Sequence, residues 1–289
     1  MFNTTVYLFN TILKYFFIVM KKFKNIISKR ISSRYLQDYW FIHVGKKSER
    51  VNKWQNSLKH QNDFWLADPF LINIEKQNFL IFESFNIKNN IASIVYFKFI
   101  NDKVNFEKPY ELICNGNHLS YPFTFKRNNR TFCIPEAGDD GIWLYELILN
   151  NNKLVAKKIK CILEGNYVDP TLINLDGVDY LFVNPQCPSN PRSILEIFYS
   201  DDITTKKIMA HPKNPVLIDS RFSRSAGRIQ KIGDKLVRTS QNCNKVYGNS
   251  LDFSQITIDK KNFKSVHIDS ISGLDPKSQI HHLEFMQEK

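Results

Sequence analysis

Residues 67–72 read ADPFLI, and residues 168–173 read VDPTLI. Each phrase is followed by a short polar break and a second apolar run, FLIFES at 79–84 and VDYLFVN at 178–184. Proline is tolerated at the start of a strand, where the backbone need not supply a ladder donor. The same Asp-Pro motif at the start of two predicted strands therefore indicates internal repeats.

Three weaker copies of the phrase extend the pattern along the chain. LSYPFTF, RSAGRIQ and QIHHLEF align with the first two at intervals of 48 to 57 residues. The reference positions of the five copies are Asp68, Tyr121, Asp169, Ala226 and His281. Counting 15 residues on from the first four reaches the end of the next apolar run each time, at Glu83, Glu136, Asn184 and Gln241.

A third and a fourth apolar run complete each unit. The third runs lie at 92–100, 142–149, 193–200 and 250–258, and the fourth at 110–114, 157–163, 214–218 and 264–271. Four short strands in each repeat of about 50 residues are typical of a β-propeller. The sequence therefore predicts an all-β fold, a five-bladed β-propeller over residues 37–289. The N-terminal segment DYWFIHV (38–44) is expected to complete the last blade and remove its free edge.

Positive charge is concentrated at the N-terminus. The chain of 289 residues carries a formal charge of +12, but residues 1–60 hold twelve Lys or Arg against two Asp or Glu. The remaining chain is nearly neutral, which argues against a nucleic-acid partner. Five scattered cysteines form no C-x-x-C pair, so we expect free thiols in a reducing, cytoplasmic compartment and neither a metal nor a cofactor.

Residues 1–36 form a leader with its own pattern. The apolar run VYLFNTILKYFFIVM (6–20) is shorter than a membrane span and is followed by KKFKNIISKR (21–30), an order that favours the cytoplasmic side. We expect a short basic helical leader, with residues 20–36 in peripheral contact with the inner face of the cytoplasmic membrane. The alternative is a solvated leader, and Met20 is an alternative start.

Acidic residues are expected to converge at the propeller channel. The first strand of each blade lines the channel, so Asp68 and Asp169 would face one cavity, with Glu83 and Glu136 near the same mouth. Such a cluster is costly to bury unless a ligand uses it; the alternative is that Asp-Pro only marks strand entry. Loops 184–192 and 242–250 follow second strands and are placed to rim a pocket. Candidate binding residues are Glu83, His118, Tyr121, Asn184, Arg224, Arg228, Gln241, His281 and His282.

Taken together, the blocks resemble a known family. WLADPFLI, HLSYPFTF, CIPEAG, YVDPTLI, SRSAGRI and IHHL are similar to the five-bladed propeller of glucosamine inositolphosphorylceramide transferases over about residues 38–285. That domain in turn resembles arabinanase- and xylosidase-type glycosidases, with an active site at the channel mouth. The resemblance implies Asp68 as a base and Asp169 as an orienting group. The segment FSRSAGRIQ (222–230) departs from the glycosidases, because it offers no carboxylate for the acid.

Three functions remain open from the sequence. The leading hypothesis is a glycosyltransferase in cell-surface polysaccharide or glycolipid synthesis, with a nucleotide-sugar donor and a lipid-linked acceptor. Asp68 would be the base, Asp169 and Glu136 would position the sugar, and Arg224 and Arg228 would meet the diphosphate. The alternative for each arginine is a salt bridge to a channel Asp. A glycoside hydrolase is second, with Glu136 or Glu83 as acid. A non-catalytic sugar-binding propeller is third.

Overall fold

The computed structural model is a propeller-like ring of antiparallel sheets. It describes residues 16–23, 39–46, 56–58, 64–100, 103–104, 109–116, 118–186, 193–272 and 278–285. Within these ranges the only helical element is a single 3-10 turn, Gly138–Asp140, and all other regular elements are strands. The prediction of an all-β propeller is confirmed.

Four of the sheets are each built from one consecutive stretch of chain, as the repeats predict. The first contains β4 (Phe64–Ile74), β5 (Gln77–Asn86), β6 (Ile91–Ile100), β7 (Lys103–Val104) and β8 (Tyr110–Ile113). The second contains β9 (Ser120–Arg127), β10 (Arg130–Glu136), β11 (Ile142–Asn150) and β12 (Lys153–Leu163). The third contains β13 (Tyr167–Leu175), β14 (Val178–Pro185), β15 (Ile194–Ser200), β16 (Met209–Ala210) and β17 (Leu217–Ile218). The fourth contains β18 (Gln230–Ile232), β19 (Lys235–Asn242), β20 (Ser250–Ile258) and β21 (Phe263–Ser272).

The remaining sheet combines both ends of the chain, in the order β22–β1–β2–β3. Its strands are β22 (Ser278–Phe285), β1 (Phe16–Phe23), β2 (Tyr39–Lys46) and β3 (Asn56–Leu58). The segment DYWFIHV thus contributes β2, as predicted, but β1 lies between it and β22. Joining the two ends of the chain in one sheet pairs edges that would otherwise be exposed.

The predicted helical leader is wrong for the part that the structure describes. Phe16–Phe23 is a strand, paired on one side with β2 and on the other with β22. Neighbours on both sides satisfy its backbone groups, and its aromatic and β-branched residues favour this conformation. Residues 1–15 and 24–38 lie outside the described residues, as does most of the proposed membrane contact at 20–36. Among the described residues, no helix has the length and apolar character of a membrane span.

Apolar side chains fill the spaces between neighbouring sheets. Phe79 and Tyr96 of the first sheet share a cluster with Tyr145 and Leu147 of the second. A second cluster joins the second sheet to the third, and Phe132 is one of its buried members. Each such side chain contributes about 1.5–3 kcal/mol when fully buried. This packing holds the inner strands in a rigid ring.

The reference residue of the first three phrases has a left-handed backbone. The φ angles are +47° at Asp68, +45° at Tyr121 and +52° at Asp169. In β4 and β13 the ladder register breaks at this point, between Ala67 and Phe70 and between Val168 and Thr171. Such bulges cost about 1–2 kcal/mol for a residue with a Cβ atom, and they re-aim side chains out of the strand. The repeated phrase is therefore a repeated bulge.

A buried ion pair between Arg228 and Glu284 joins inner strands of different sheets. Arg228 Nε donates to Glu284 Oε1 at 2.6 Å, and its Nη2 donates to Thr124 Oγ1 at 2.6 Å and to Leu71 O at 3.3 Å. The side chain is 8% exposed and that of Glu284 is fully buried. Arg228 thereby connects inner strands of three sheets, β4, β9 and β22, and we call this group the channel plug.

Arg228→Met is expected to destabilise the protein by about 3–5 kcal/mol, because it leaves the buried Glu284 carboxylate without its charge partner. Urea unfolding followed by circular dichroism measures the effect. Arg228→Met combined with Glu284→Gln is expected to be more stable than the single variant. The matched control is Arg130→Met, which removes an arginine that is 53% exposed in its pair with Glu146 and should change stability little. Equal losses in the two single variants would contradict the structural role of the plug.

Candidate functional site

A cavity of about 160 Å³ opens where the inner strands β4, β9 and β13 begin. We call it the acid pocket. It is lined by Trp65, Ala67, Asp68, Glu83, His118, Ser120, Glu136, Asp169, Arg224, Tyr247 and His281. The structure thus brings together seven of the predicted site residues, including all four acids. The bulges at Asp68 and Asp169 place these two side chains at the pocket.

Asp68 is held as a carboxylate by two histidines. His281 Nε2 lies 3.0 Å from Asp68 Oδ1, and His282 Nδ1 lies 3.4 Å from the same oxygen. Burial opposes ionisation of Asp68, but the hydrogen bonds and charges of His281 and His282 outweigh it and lower the pKa of this carboxyl well below its usual range. Burial also lowers the pKa of His281. With His281 Nε2–H donated to it, an ionised Asp68 presents a negative charge to the pocket.

Glu136 has the opposite protonation state. Burial raises its pKa to about 8, the nearby Asp169 charge adds to this effect, and Arg224 opposes it. Glu136 Oε2 accepts the backbone N–H of Asp169 at 3.2 Å. At neutral pH the group is therefore mostly a carboxylic acid that can donate a proton. An ionised Asp68 and a protonated Glu136 in one pocket are the elements of general acid–base catalysis.

The second Asp-Pro aspartate is held by an arginine. Arg224 Nε pairs with Asp169 Oδ2, and its Nη2 lies 3.4 Å from Oδ1. The guanidinium also lies 5.1 Å from the centre of the Tyr247 ring. Arg224 thus forms the salt bridge to a channel Asp that was the alternative to binding a diphosphate. Most of its positive charge is already balanced within the pocket.

The exposed side chain of His118 lies beside the buried Glu83 in the pocket. His118 Nε2 lies 3.6 Å from Glu83 Oε1, and its side chain is 48% exposed. Burial raises the pKa of Glu83, and the neighbouring carboxylates Asp68, Glu136 and Asp169 raise it further. Glu83 is therefore harder to ionise than an exposed glutamate.

Three predicted binding residues lie outside the pocket and have packing roles. Arg228 belongs to the channel plug, where its guanidinium forms an ion pair with Glu284. Tyr121 is fully buried, and its hydroxyl accepts the Gly227 N–H at 2.8 Å. His282 is fully buried beneath Asp68 and packs edge-on against Phe70 at 4.8 Å. None of the three residues lines the acid pocket.

Asn184 and Gln241 lie outside the lining of the acid pocket and hydrogen-bond to residues 222–225, which we call the arginine loop. Asn184 Nδ2 donates to Ser223 O, and Gln241 Nε2 donates to Ser225 O, both at 3.0 Å. Arg238, which the sequence reasoning missed, donates to backbone carbonyls of the same loop and to Ser225 Oγ at 3.1 Å. Residues 222–225 have few ladder partners, so these buried side chains fix the loop from which Arg224 extends.

Sequence reasoning also missed two aromatic residues that line the pocket. Trp65 lies three residues before Asp68 and stacks on Phe85 with ring centres 4.8 Å apart. Tyr247 lies in the loop 242–250, which the strand order places at the rim, and its ring centre is 5.5 Å from that of His281. The other loop, at 184–192, lies outside the described residues from 187 onward. For Trp65, its position just before the Asp-Pro motif was the signal that could have identified it.

Comparison with known proteins gives sequence relatives and fold neighbours. A 29% identical relative, glucosamine inositolphosphorylceramide transferase 1 of Arabidopsis thaliana, aligns over 211 residues, which are 71% of this chain and 27% of the relative. The chain thus spans about a quarter of its length. A thermostable family-43 glycoside hydrolase superimposes with a TM-score of 0.56 at 10% identity, over 85% of this chain and 93% of the other. The exo-β-1,3-galactanase of Phanerochaete chrysosporium has a TM-score of 0.58 at 13% identity, over 81% and 61%.

The structural neighbours show a shared propeller fold and, at this identity, no more than the fold. The sequence profile described as glucosamine inositolphosphorylceramide transferase 1, N-terminal, matches residues 53–281. This range includes the four consecutive sheets and every acid of the pocket. Because the match extends over most of the chain, the chain belongs to the family of the N-terminal region of glucosamine inositolphosphorylceramide transferase 1.

Proposed function

We propose that the chain is a carbohydrate-active enzyme that performs acid–base chemistry on a glycosidic bond in the acid pocket. The observation that carries this proposal is the convergence of Asp68 and Glu136 in one buried pocket, where their surroundings shift the two pKa values in opposite directions. Cleaving a glycoside requires one group to protonate the leaving oxygen and another to activate the attacking nucleophile. The relatives and fold neighbours are named as carbohydrate-active proteins, which supports this class.

Each residue has a role in the proposed reaction. Asp68 takes a proton from the attacking water or acceptor hydroxyl, and Glu136 donates its proton to the departing glycosidic oxygen. The negative charge of Asp169 favours the protonated form of Glu136, while Arg224 holds Asp169 in place. Trp65 and Tyr247 line the pocket beside these charged groups. No step requires a group other than these side chains and the nucleophile.

A nucleotide-sugar transferase is the second candidate, and membership of the transferase family favours it. Two features of the pocket weigh against a diphosphate. The lining holds four carboxyl groups and a single arginine, Arg224, which is already paired with Asp169, so the pocket offers little positive charge to a diphosphate. The cavity of about 160 Å³ is also below the usual 300–1,000 Å³ for larger small-molecule ligands, and it suits a single sugar unit. A lipid-linked acceptor and peripheral membrane contact remain proposals that belong to this candidate.

A thermal-shift screen of the whole chain separates the candidates. Mono- and oligosaccharides of arabinose, xylose, galactose and glucosamine are compared with UDP-, GDP- and dTDP-sugars. A ligand at about 100 times its Kd stabilises by about 2.7 kcal/mol, enough to raise Tm by several degrees. Stabilisation by these sugars, which carry no phosphate, supports the proposal when it is lost in Arg224→Ala. Stabilisation by nucleotide sugars alone would replace it with the transferase. Binding without turnover of any glycoside would indicate a sugar-binding propeller.

The pH dependence of turnover is expected to follow Glu136 on the alkaline side. Because its pKa is raised to about 8, the proton needed for catalysis is present below that pH and is lost as the pH rises through it. Asp68 must be ionised, and its lowered pKa keeps it so throughout the neutral and mildly acidic range. A pH profile of kcat/KM should therefore be highest in the neutral and mildly acidic range and fall to about half of its maximum near pH 8. An alkaline limb near pH 4.5, the ordinary glutamate value, would contradict the assignment of Glu136 as the acid.

A further inference from the structure

A second and larger cavity lies at the other end of the channel. It has a volume of about 550 Å³, compared with about 160 Å³ for the acid pocket. Its walls come from the later residues of β4, β9 and β13, whereas the acid pocket uses the first residues of these strands. We call it the far cavity. Its volume lies within the range of small-molecule binding sites.

The channel plug separates the two cavities. Arg228 lines the far cavity and is bound to Glu284, Thr124 and Leu71, so its guanidinium spans the channel between β4, β9 and β22. None of the residues that line the acid pocket also lines the far cavity. A ligand in the far cavity would therefore occupy a site of its own.

Amide side chains give the far cavity its chemistry. Asn73, Asn78 and Asn174 line it, and no carboxylate is among its described lining residues. Asn73 Nδ2 donates to Asn78 Oδ1 at 2.7 Å. Within the described part of the chain, Asn73 Oδ1 and Asn78 Nδ2 make no other hydrogen bond, which leaves an acceptor and a donor on neighbouring amides.

The sequence repeat places polar residues in the far cavity at a constant spacing, as it does with the acids of the acid pocket. Five residues on from Asp68, Tyr121 and Asp169 are Asn73, Lys126 and Asn174, and all three line the far cavity. Apolar residues such as Phe125, Leu172 and Ile173 complete the wall. If this part of the ring had only a structural role, apolar side chains would be expected to fill it, because an empty volume of this size costs van der Waals contacts.

Charge in the far cavity is largely balanced. Arg127 is paired with Asp179 and lies 3.4 Å from Asp202, and Arg228 is paired with Glu284. Lys126 is the one lining cation that forms no ion pair within the described ranges. This balance disfavours a strongly charged ligand, whereas amides that both donate and accept match hydroxyl groups that do the same. Apolar walls match the C–H surface of a sugar ring.

The geometry points to the far cavity as a second carbohydrate site, which binds a neutral, hydroxyl-rich oligosaccharide segment at the mouth of the channel opposite the acid pocket. Asn73 and Asn78 contact hydroxyl groups, and Lys126 donates a further hydrogen bond from the rim. The site is independent of catalysis in the acid pocket. It would hold a glycan chain on the enzyme at a second point and so raise its local concentration.

Isothermal titration of the full chain tests this site with cellotriose, xylotriose and β-1,3-galactotriose as probes. The decisive variant is Asn73→Leu/Asn78→Leu, which removes both partners of one hydrogen bond and so leaves neither amide unpaired. The matched control is Asn150→Leu, at an exposed strand end outside both cavities. We expect at least one probe to bind at least tenfold more weakly to the double variant, and equally well to Asn150→Leu and to Asp68→Asn.

The outcomes separate this site from the acid pocket. If trisaccharide affinity falls only in Asp68→Asn, the second site is overturned and the proposed function stands. The same conclusion follows if the double variant weakens the binding of none of the three trisaccharides. Glucose 1-phosphate binding that depends on Asn73 and Asn78, without any neutral probe, would show an anion site and also overturn it. Should the double variant fail to fold by circular dichroism, Lys126→Ala replaces it, with an expected loss of several-fold.

Discussion

Glu136→Gln and Asp68→Asn are each expected to lower turnover of a glycoside by about 10²–10⁴-fold. Each change removes a proton donor or acceptor while keeping the shape of the side chain, so sugar binding should be retained. Gln at position 136 can still accept the backbone N–H of Asp169, now at 3.2 Å from Glu136 Oε2. The loss therefore reports proton transfer rather than the geometry of the pocket.

The leaving group distinguishes the two roles. The nitrophenolate leaving group of a nitrophenyl glycoside departs without much help from an acid. Glu136→Gln should therefore lose far less activity on a nitrophenyl glycoside than on an alkyl glycoside. Asp68→Asn should lose a similar factor on both, because the base acts on the nucleophile. Steady-state kinetics with matched nitrophenyl and methyl glycosides measure this difference. A Glu136→Gln variant that loses the same factor on both substrates would contradict its role as acid.

Gly227→Ala is expected to abolish folding or to cost more than about 4 kcal/mol, which is exceptional for a single substitution. The φ angle at Gly227 is +115°, and a Cβ atom there would lie 2.0 Å from Leu283 O. That carbonyl belongs to β22, whose Leu283 N–H donates to Ala226 O at 3.0 Å. The clash is with backbone, so no side-chain rotation relieves it. Opening this contact separates the fourth sheet from β22.

The measurement is the yield of soluble protein and its urea unfolding, with Gly233→Ala as the matched control. Gly233 also has a positive φ, +60°, but an added Cβ would meet nothing within 4 Å. Its substitution should cost only the left-handed strain of about 1–2 kcal/mol. Similar stability for the two variants would show that β22 can move away from residue 227, and would contradict the close packing of this phrase.

The spacing of the repeats was enough to predict much of the fold and the acid cluster. Fifteen residues separate Asp68 from Glu83 and Tyr121 from Glu136, and the structure places both glutamates in the pocket. The same spacing leads to Asn184 and Gln241, whose amides hold the arginine loop instead. A repeat predicts position in a blade, but whether a polar side chain meets a ligand or backbone depends on which neighbours lack hydrogen-bond partners.

The sequence by itself determined the all-β repeat, the inner strands and the convergence of four acids, because a period of about 50 residues with alternating apolar runs specifies which strand ends meet. Only the tertiary structure decided the opposite pKa shifts of Asp68 and Glu136, since burial and neighbouring charges cause them. It also decided the roles of the two arginines. Arg224 pairs with Asp169 in the pocket and Arg228 with Glu284 in the plug, and these partners lie 55 and 56 residues away along the chain. Partners that distant in sequence meet only when the sheets close into a ring.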